Sequence, residues 1–400
     1  MKVTIVGLGM GHPDTMTAGV RRALEEARLV IGARRVLESL PETVTARRIP
    51  AVAAEDIRRL ISENEALSPV CVAMSGDTGF YSGTAKLLAL LEGAECLPGL
   101  TTVQYLAAKL GRPWQEVRLF SAHGRTCNIV GSVLAARDTF FLTDGVSTPA
   151  AIARALCAAD LGDAELTVGE RLSYPDERIT SAPAVELTET EFDPLSAVWV
   201  RCTAPRTRLL TGGLPDAEFL RGEVPMTKQE VRAAVLARLR PAPGETFYDV
   251  GAGTGSGGIE LALLDPMARV FAVECLPEAC DLIRANRKHF GAYNLMLAEG
   301  TAPAALSALP APDAAFVGGS RGNLAGILDA LQKKNPRVRV AVSAIALETL
   351  DEALRALEQL GFENVEISQI SVSRAREAGR YHMMTGLNPI FLLSGQGAGA

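Results

Sequence analysis

The chain has 400 residues, more than one typical domain carries, so two or three domains are expected. An apolar fraction of 48% suffices for ordinary buried cores, and a formal net charge of -6 lacks the basic surplus of a protein that coats nucleic acid. The seven cysteines are odd in number and none shows C-x-x-C spacing, which argues against a disulfide framework or a zinc knuckle and for free thiols in a reducing compartment.

The opening run, Met1-Lys-Val-Thr-Ile-Val-Gly7, is too short for a signal peptide and reads as a buried strand. No apolar run reaches the ~18 residues of a membrane span, so a cytoplasmic protein without a membrane partner is expected. Strand Lys2–Val6 leads into Gly7-Leu-Gly9-Met-Gly11-His-Pro13, a helix from about Thr17 to Ala27, and strand Leu29–Gly32. A strand over Val70–Ser75 runs into Gly76-Asp-Thr-Gly79-Phe-Tyr-Ser-Gly83. Cys96-Leu-Pro-Gly99 opens a helix that ends near Leu110. Beyond Gly111-Arg-Pro113 the strands crowd together, at Val117–Ser121, Thr139–Thr143, Glu165–Glu170 and Ala197–Arg201. Two lobes are expected, about 1–111 and 112–205, within a first domain of residues 1–205.

The stretch from Thr203 to Pro225 holds three prolines and three glycines and no long periodic run, so residues 206–224 read as a linker and 225–400 as a second domain. Thr227–Leu239 has helical apolar spacing. Seven strands are then predicted: Thr246–Val250, Arg269–Glu274, Asn294–Ala298, Ala314–Val317, Val338–Ser343, Asn364–Ile370 and Pro389–Leu393. Helical stretches separate the first six, and their absence before the seventh suggests an antiparallel last strand. The fold class expected is α/β: a two-lobed first domain, then a seven-stranded Rossmann-like second one.

Each domain opens with an apolar strand, a glycine loop and a helix. In the second, Asp249-Val-Gly251-Ala252-Gly253-Thr254-Gly255 lets the backbone approach a ligand closely. The same loop satisfies the dinucleotide fingerprint, so an NAD-dependent oxidoreductase is an alternative. Three features favour S-adenosylmethionine. Asp249 would repel a pyrophosphate but not a sulfonium or an amino group. Glu274, 19 residues after Gly255, ends the second strand where it can accept ribose hydroxyls. Seven strands follow rather than six. The third strand ends in Gly300, Thr301 and Ala302, at the expected adenine pocket.

Met226-Thr227-Lys228-Gln-Glu-Val-Arg232, the loop Asp249–Gly255, Glu299-Gly-Thr-Ala-Pro303, Phe316-Val-Gly-Gly-Ser320 and Asn388-Pro-Ile-Phe-Leu together resemble the decarboxylating methyltransferases of cobalamin biosynthesis that act at carbon 15 of the corrin precursor. One departure is Thr301, where that family carries Asp, so the adenine contact falls to the Ala302 backbone. Gly7–Pro13, Met74–Phe80, Pro98–Thr102, Leu142-Thr143-Asp144-Gly145 and Gly169–Arg178 resemble the tetrapyrrole methylases, and Ser121-Ala-His123-Gly124 their carbon-5 subgroup. The pair of halves resembles the bifunctional C5,15-methyltransferase family. That resemblance implies methylation of carbons 5 and 15, loss of carbon dioxide from the ring C acetate, and precorrin-8 as product. A cobalt-containing precursor fits the residues equally.

The resemblance further implies one S-adenosyl-L-methionine per domain. In the first it would touch Gly7, Gly9, Gly11, Ser75, Gly76, Asp77, Gly79, Phe80, Thr102, Thr143 and Asp144. In the second it would touch Thr227, Asp249, Gly251, Ala252, Gly253, Thr254, Gly255, Glu274, Gly300, Thr301 and Ala302. A tetrapyrrole rich in carboxylates calls for Arg or Lys clamps. Arg374, Arg376 and Arg380 are the candidates, with Tyr381 and His382 beside them, His382 as a proton-transfer group; Arg171 and Arg178 are candidates in the first half. His12, His123, His289 and His382 are the only histidines, and no pair has metal-ligand spacing, so no metal is expected. The partner expected is the tetrapyrrole, with no nucleic acid; the resembled families also imply a homo-oligomer. A non-catalytic nucleotide-binding protein would have degenerate glycine loops, and these are intact.

Overall fold

A computed structural model describes residues 2–122, 127–203 and 212–399. The chain divides into two compact units. The first comprises Met1–Cys127, Asp138–Arg154 and Asp163–Arg201; the second comprises Asn128–Arg137, Ala155–Gly162 and Cys202–Ala400.

The first unit holds two five-stranded sheets, one on either side of Gly111. Strands β1 (Val3–Gly7), β2 (Leu29–Gly32), β3 (Arg47–Pro50), β4 (Val70–Met74) and β5 (Glu95–Leu97) form a parallel sheet in the order β3-β2-β4-β1-β5. Every residue of β1 and β2 is buried, as expected where helices cover both faces of a parallel sheet. The helix Thr102–Leu110 starts in a capping box between Thr101 and Gln104 and stops at Gly111 in the left-handed conformation. The second sheet runs β6 (Arg118–Ser121), β7 (Asp138–Leu142), β8 (Glu165–Glu170), β9 (Arg178–Pro183) and β10 (Ser196–Arg201) in the order β6-β7-β10-β8-β9. Only its β6–β7 pair is parallel. The predicted strands of this half are present. Three short or exposed ones, β3, β5 and β9, had no buried alternation to betray them.

The second unit is built on β11 (Thr246–Val250), β12 (Arg269–Glu274), β13 (Leu295–Glu299), β14 (Ala314–Val317), β15 (Arg339–Ala344) and β16 (Phe362–Ile370), then a hairpin of β17 (Ser373–Ala378) and β18 (Tyr381–Gly386), then β19 (Ile390–Gly397). The seven-stranded order is β13-β12-β11-β14-β15-β19-β16, with β19 antiparallel to both neighbours. The antiparallel last strand matches the sequence reading. The hairpin corrects it, since the segment read as a loop after the sixth strand is a separate two-stranded sheet. Along β11 the side chains alternate: Phe247 joins the core on one face, Tyr248 and Val250 the core on the other. From Gly212 the chain packs on this unit. Gly213 and Leu214 donate backbone N–H groups to Glu260, and Phe219 is buried in the core.

Candidate functional site

The strand order reverses beside β11: β12 lies on one side and β14 on the other. A crevice at such a switch point is where open α/β sheets bind ligands. A cavity of about 640 Å³ opens there, between the loop after β11 and the carboxyl end of β14. Gly251, at φ +68°, faces Gly319 so closely that a Cβ would lie 2.4 Å from its carbonyl oxygen. Only glycine lets the two strand ends approach this way.

Parallel register sets Val250 opposite Val273, so Glu274 follows directly at the edge of the loop. Its side chain is 7% exposed. One carboxylate oxygen accepts the Gly253 N–H at 2.9 Å, and the other accepts those of Cys275 and Leu276 at 2.7 and 3.0 Å. Glu274 therefore shapes the loop as well as facing the cavity. Four of the five N–H groups of Gly251–Gly255 are spent inside the protein. Gly251 and Ala252 donate to the Val273 carbonyl, Gly253 to Glu274 and Gly255 to the Ala252 carbonyl. A pyrophosphate cradle needs such groups free.

Among the second-domain residues predicted from sequence, Thr227, Gly251, Ala252, Gly253, Glu274, Gly300, Thr301 and Ala302 line the cavity. Asp249, Thr254 and Gly255 do not. Asp249 is 1% exposed, and its carboxylate accepts the Gly258 N–H at 2.6 Å, inside the first turn of the helix Ser256–Leu264. Burial pushes its carboxyl up to about 7. Thr254 is fully buried, and Gly255 caps that helix over Ile283.

The five residues predicted to be catalytic are not brought to the cavity. They lie on the hairpin, where Arg374 is engaged by two carboxylates. The Arg374 guanidinium donates to Asp216 at 2.8 Å and to Glu230 at 2.7 Å, and holds the Glu230 carboxyl below its usual range. Arg380 lies over the Tyr381 ring and donates to its hydroxyl. Arg376 and His382 are exposed, with His382 opposite Glu377 in the hairpin register. Asp216 is shared with Arg232, which is 1% exposed and also donates to Glu260 at 2.7 Å and to the Thr227 carbonyl. The conspicuous Met226–Arg232 stretch thus places Thr227 at the cavity and anchors it with a buried cation. Sequence reasoning missed Arg321, Gly318–Ser320, Ser343 and Ile345, which also line the cavity; the strand ends next to β11 were the available signal.

The first unit has a smaller cavity, of about 280 Å³. Gly9, Ser75, Gly76, Asp77, Phe80, Thr102 and Thr143 line it, as does Arg35, which the sequence did not single out. Asp77 ties the site together by accepting the Gly79 N–H at 2.7 Å and the Gly99 N–H at 3.0 Å. Gly7, Gly11, Gly79 and Asp144 lie off the cavity. Gly7 is needed where three chain segments cross, since a Cβ there would meet the Gly76 carbonyl at 2.7 Å and the Gly99 nitrogen at 2.8 Å. Gly11 sits under the Tyr174 ring, and the Asp144 carboxylate accepts the Val146 and Ser147 N–H groups. Arg171 pairs with Asp176, and Arg178 with Glu170. His12 accepts the Asp14 N–H as a helix cap, His289 is exposed, and His123 lies outside the described residues. No helix among the described residues is long and apolar enough to cross a membrane.

Known proteins resemble both halves. Residues 2–188 match the family described as Tetrapyrrole (Corrin/Porphyrin) Methylases, and residues 218–395 match the Precorrin methyltransferase domain. A Sinorhizobium protein named Precorrin-6Y C(5,15)-methyltransferase [decarboxylating] is 32% identical over 397 residues, 97% of this chain and 94% of that protein. A Pyrobaculum calidifontis protein named Probable cobalt-precorrin-6B C(15)-methyltransferase (decarboxylating) is 41% identical over 187 residues, 46% of this chain and 95% of that one. A crystal structure titled Precorrin-6y C5,15-methyltransferase, from Geobacter metallireducens GS-15, covers 46% of this chain and 96% of its own at 37% identity, with a TM-score of 0.44. With a relative of over 30% identity matched along almost its whole length, the chain is a methyltransferase and belongs to the family of decarboxylating precorrin-6Y C(5,15)-methyltransferases.

Proposed function

We propose that the chain methylates carbons 5 and 15 of precorrin-6Y/6B and removes the ring C acetate carboxyl as carbon dioxide, giving precorrin-8, with one S-adenosylmethionine per domain. The domains in this reading are residues 1–205 and 225–400. The observation that carries it is the loop Gly251–Gly255. Four of its five N–H groups are consumed internally and an acid stands at its edge. That chemistry suits a ligand with ribose hydroxyls and a cationic sulfonium, and disfavours the pyrophosphate of the NAD alternative. S-adenosylmethionine supplies an electrophilic methyl group when bound. The protein's own part is alignment. The Glu274 carboxylate accepts hydroxyl donors, Gly251 and Gly319 give the ligand room against the backbone, and the walls exclude water so that a ring carbon can be held in line. Decarboxylation leaves electrons on the substrate, and the conjugated macrocycle is the acceptor. The reading makes the enzyme a cytoplasmic homo-oligomer acting on a small molecule.

Incubation with precorrin-6B and isotopically labelled S-adenosylmethionine, followed by mass spectrometry, tests this. Two added methyl groups and one lost carboxyl are expected; a single methyl, or retention of every carboxyl, would refute the assignment. The Glu274→Ala variant is expected to lose carbon-15 methylation and keep carbon-5 methylation. The second domain is also similar to proteins named for cobalt-precorrin-6B, so the cobalt complex is the second substrate to assay.

A further inference from the structure

Two charged side chains line the larger cavity, Glu274 and Arg321. Their situations are opposite. Glu274 is held by three backbone N–H groups. Arg321 lies just beyond β14 and adopts φ +51°, a left-handed conformation that a long side chain rarely takes. Among the described residues it makes no ion pair. Its Nη1 donates instead to the Cys275 thiol at 2.8 Å, and sulfur is a weak acceptor. Arg232 and Arg374, by contrast, are each neutralised by two carboxylates, and Arg376 and Arg380 lie on the hairpin away from the cavity. Beside Arg321 the cavity mouth is apolar and open, with Leu276 47% and Ile345 62% exposed.

A cation without an acid, next to exposed apolar side chains, is complementary to a ligand with a flat apolar face and an acidic periphery. The geometry points to Arg321 as the anchor for one peripheral carboxylate of the tetrapyrrole in the second domain, with the macrocycle face resting on Leu276 and Ile345. This rests on the function proposed above and adds to it the residue that orients the substrate. A guanidinium offers a planar pair of donors to a carboxylate, and such charge-assisted bonds are about twice as strong as neutral ones. Binding the carboxylate exchanges the thiol contact for a stronger one.

The test is steady-state kinetics of carbon-15 methylation in the full chain, with carbon-5 methylation counted separately by mass spectrometry. Arg321→Asn is the informative variant, because asparagine tolerates the left-handed conformation while removing the charge. The KM for the tetrapyrrole is expected to rise about tenfold or more, the size of one charge-assisted contact. Affinity for S-adenosylhomocysteine by calorimetry, and the carbon-5 step, should not change. Arg321→Lys should recover part of the loss. An unchanged KM in the asparagine variant, or a parallel loss of S-adenosylhomocysteine affinity, overturns the anchor. Absence of carbon-15 methylation by the unaltered enzyme overturns the function reading itself, and the anchor with it.

Discussion

The two glycine loops look alike in sequence and do different work. Gly7 is spaced from its backbone neighbours so tightly that it serves the crossing of β1 with the segments at Gly76 and Gly99, and it is off the cavity. Gly251 serves a meeting of two strand ends that itself forms a cavity wall. The first loop ends in a short 3-10 turn capped by His12, whereas the second runs straight into the helix Ser256–Leu264. A strand–glycine–helix pattern therefore marks where the backbone must pass close to something. Whether that is more backbone or a ligand is decided by what the neighbouring strands bring.

The largest effect that would break this contrast comes from adding a methyl group. Gly251→Ala forces a Cβ against the Gly319 backbone at a positive φ, a cost of roughly 3 kcal/mol or more. S-adenosylhomocysteine binding at the second site should weaken by about a hundredfold. Gly7→Ala should instead disrupt the packing of the first sheet. Calorimetry on each variant should find the opposite site intact; loss of both sites together would mean that the loops are coupled. Next in size is Arg232→Met. Leaving Glu260 buried without its cation should cost about 3–5 kcal/mol in urea unfolding of the second unit, and Glu260→Gln added to it, which removes the charge and keeps an acceptor for the Gly213 and Leu214 N–H groups, should recover part of the stability. Equal destabilisation in the single and double variants would show that the charge is not what matters.

The smallest effect concerns pH. The folded Asp249 carboxyl sits at about 7 against an ordinary 3.8. Between those values the folded protein keeps a proton that the unfolded chain has lost, so this group lowers stability as pH rises from about 4 to 7. Asp249→Asn should flatten that slope in thermal unfolding. An unchanged slope would show that Asp249 is ionised throughout. The first loop has no buried acid in the equivalent place, which sharpens the contrast.

Where the sequence was legible, the signal was local. The strands β11, β12, β14 and β15 of the seven-stranded sheet are mostly apolar and buried, and the missing helix before β19 announced its direction. Glu274 was found because the strand end next to a glycine loop is a fixed place in this fold. The hairpin of β17 and β18 escaped because most of its residues are exposed, so Arg374 to His382 show no alternation of buried and exposed positions. The ion pairs of Arg374 were hidden for a related reason. Its partners Asp216 and Glu230 lie 158 and 144 residues earlier, one of them in the stretch read as a linker. Arg321 lies 46 residues after Cys275, and the reversal of strand order beside β11 brings the two together.

The place of β19 has a consequence for the order of events during synthesis. It lies between β15 and β16, so β16 cannot join the sheet until residues 390–397 have been made. The first unit's last strand, β10, is complete at Arg201, 196 residues before Gly397. At about 5–20 residues per second, that separation is roughly 10–40 s. During that interval the earlier half is free to fold on the ribosome, while the later half holds an open sheet edge and an unclosed cavity. A ribosome stalled just short of β19 should therefore display a competent first site and no second one.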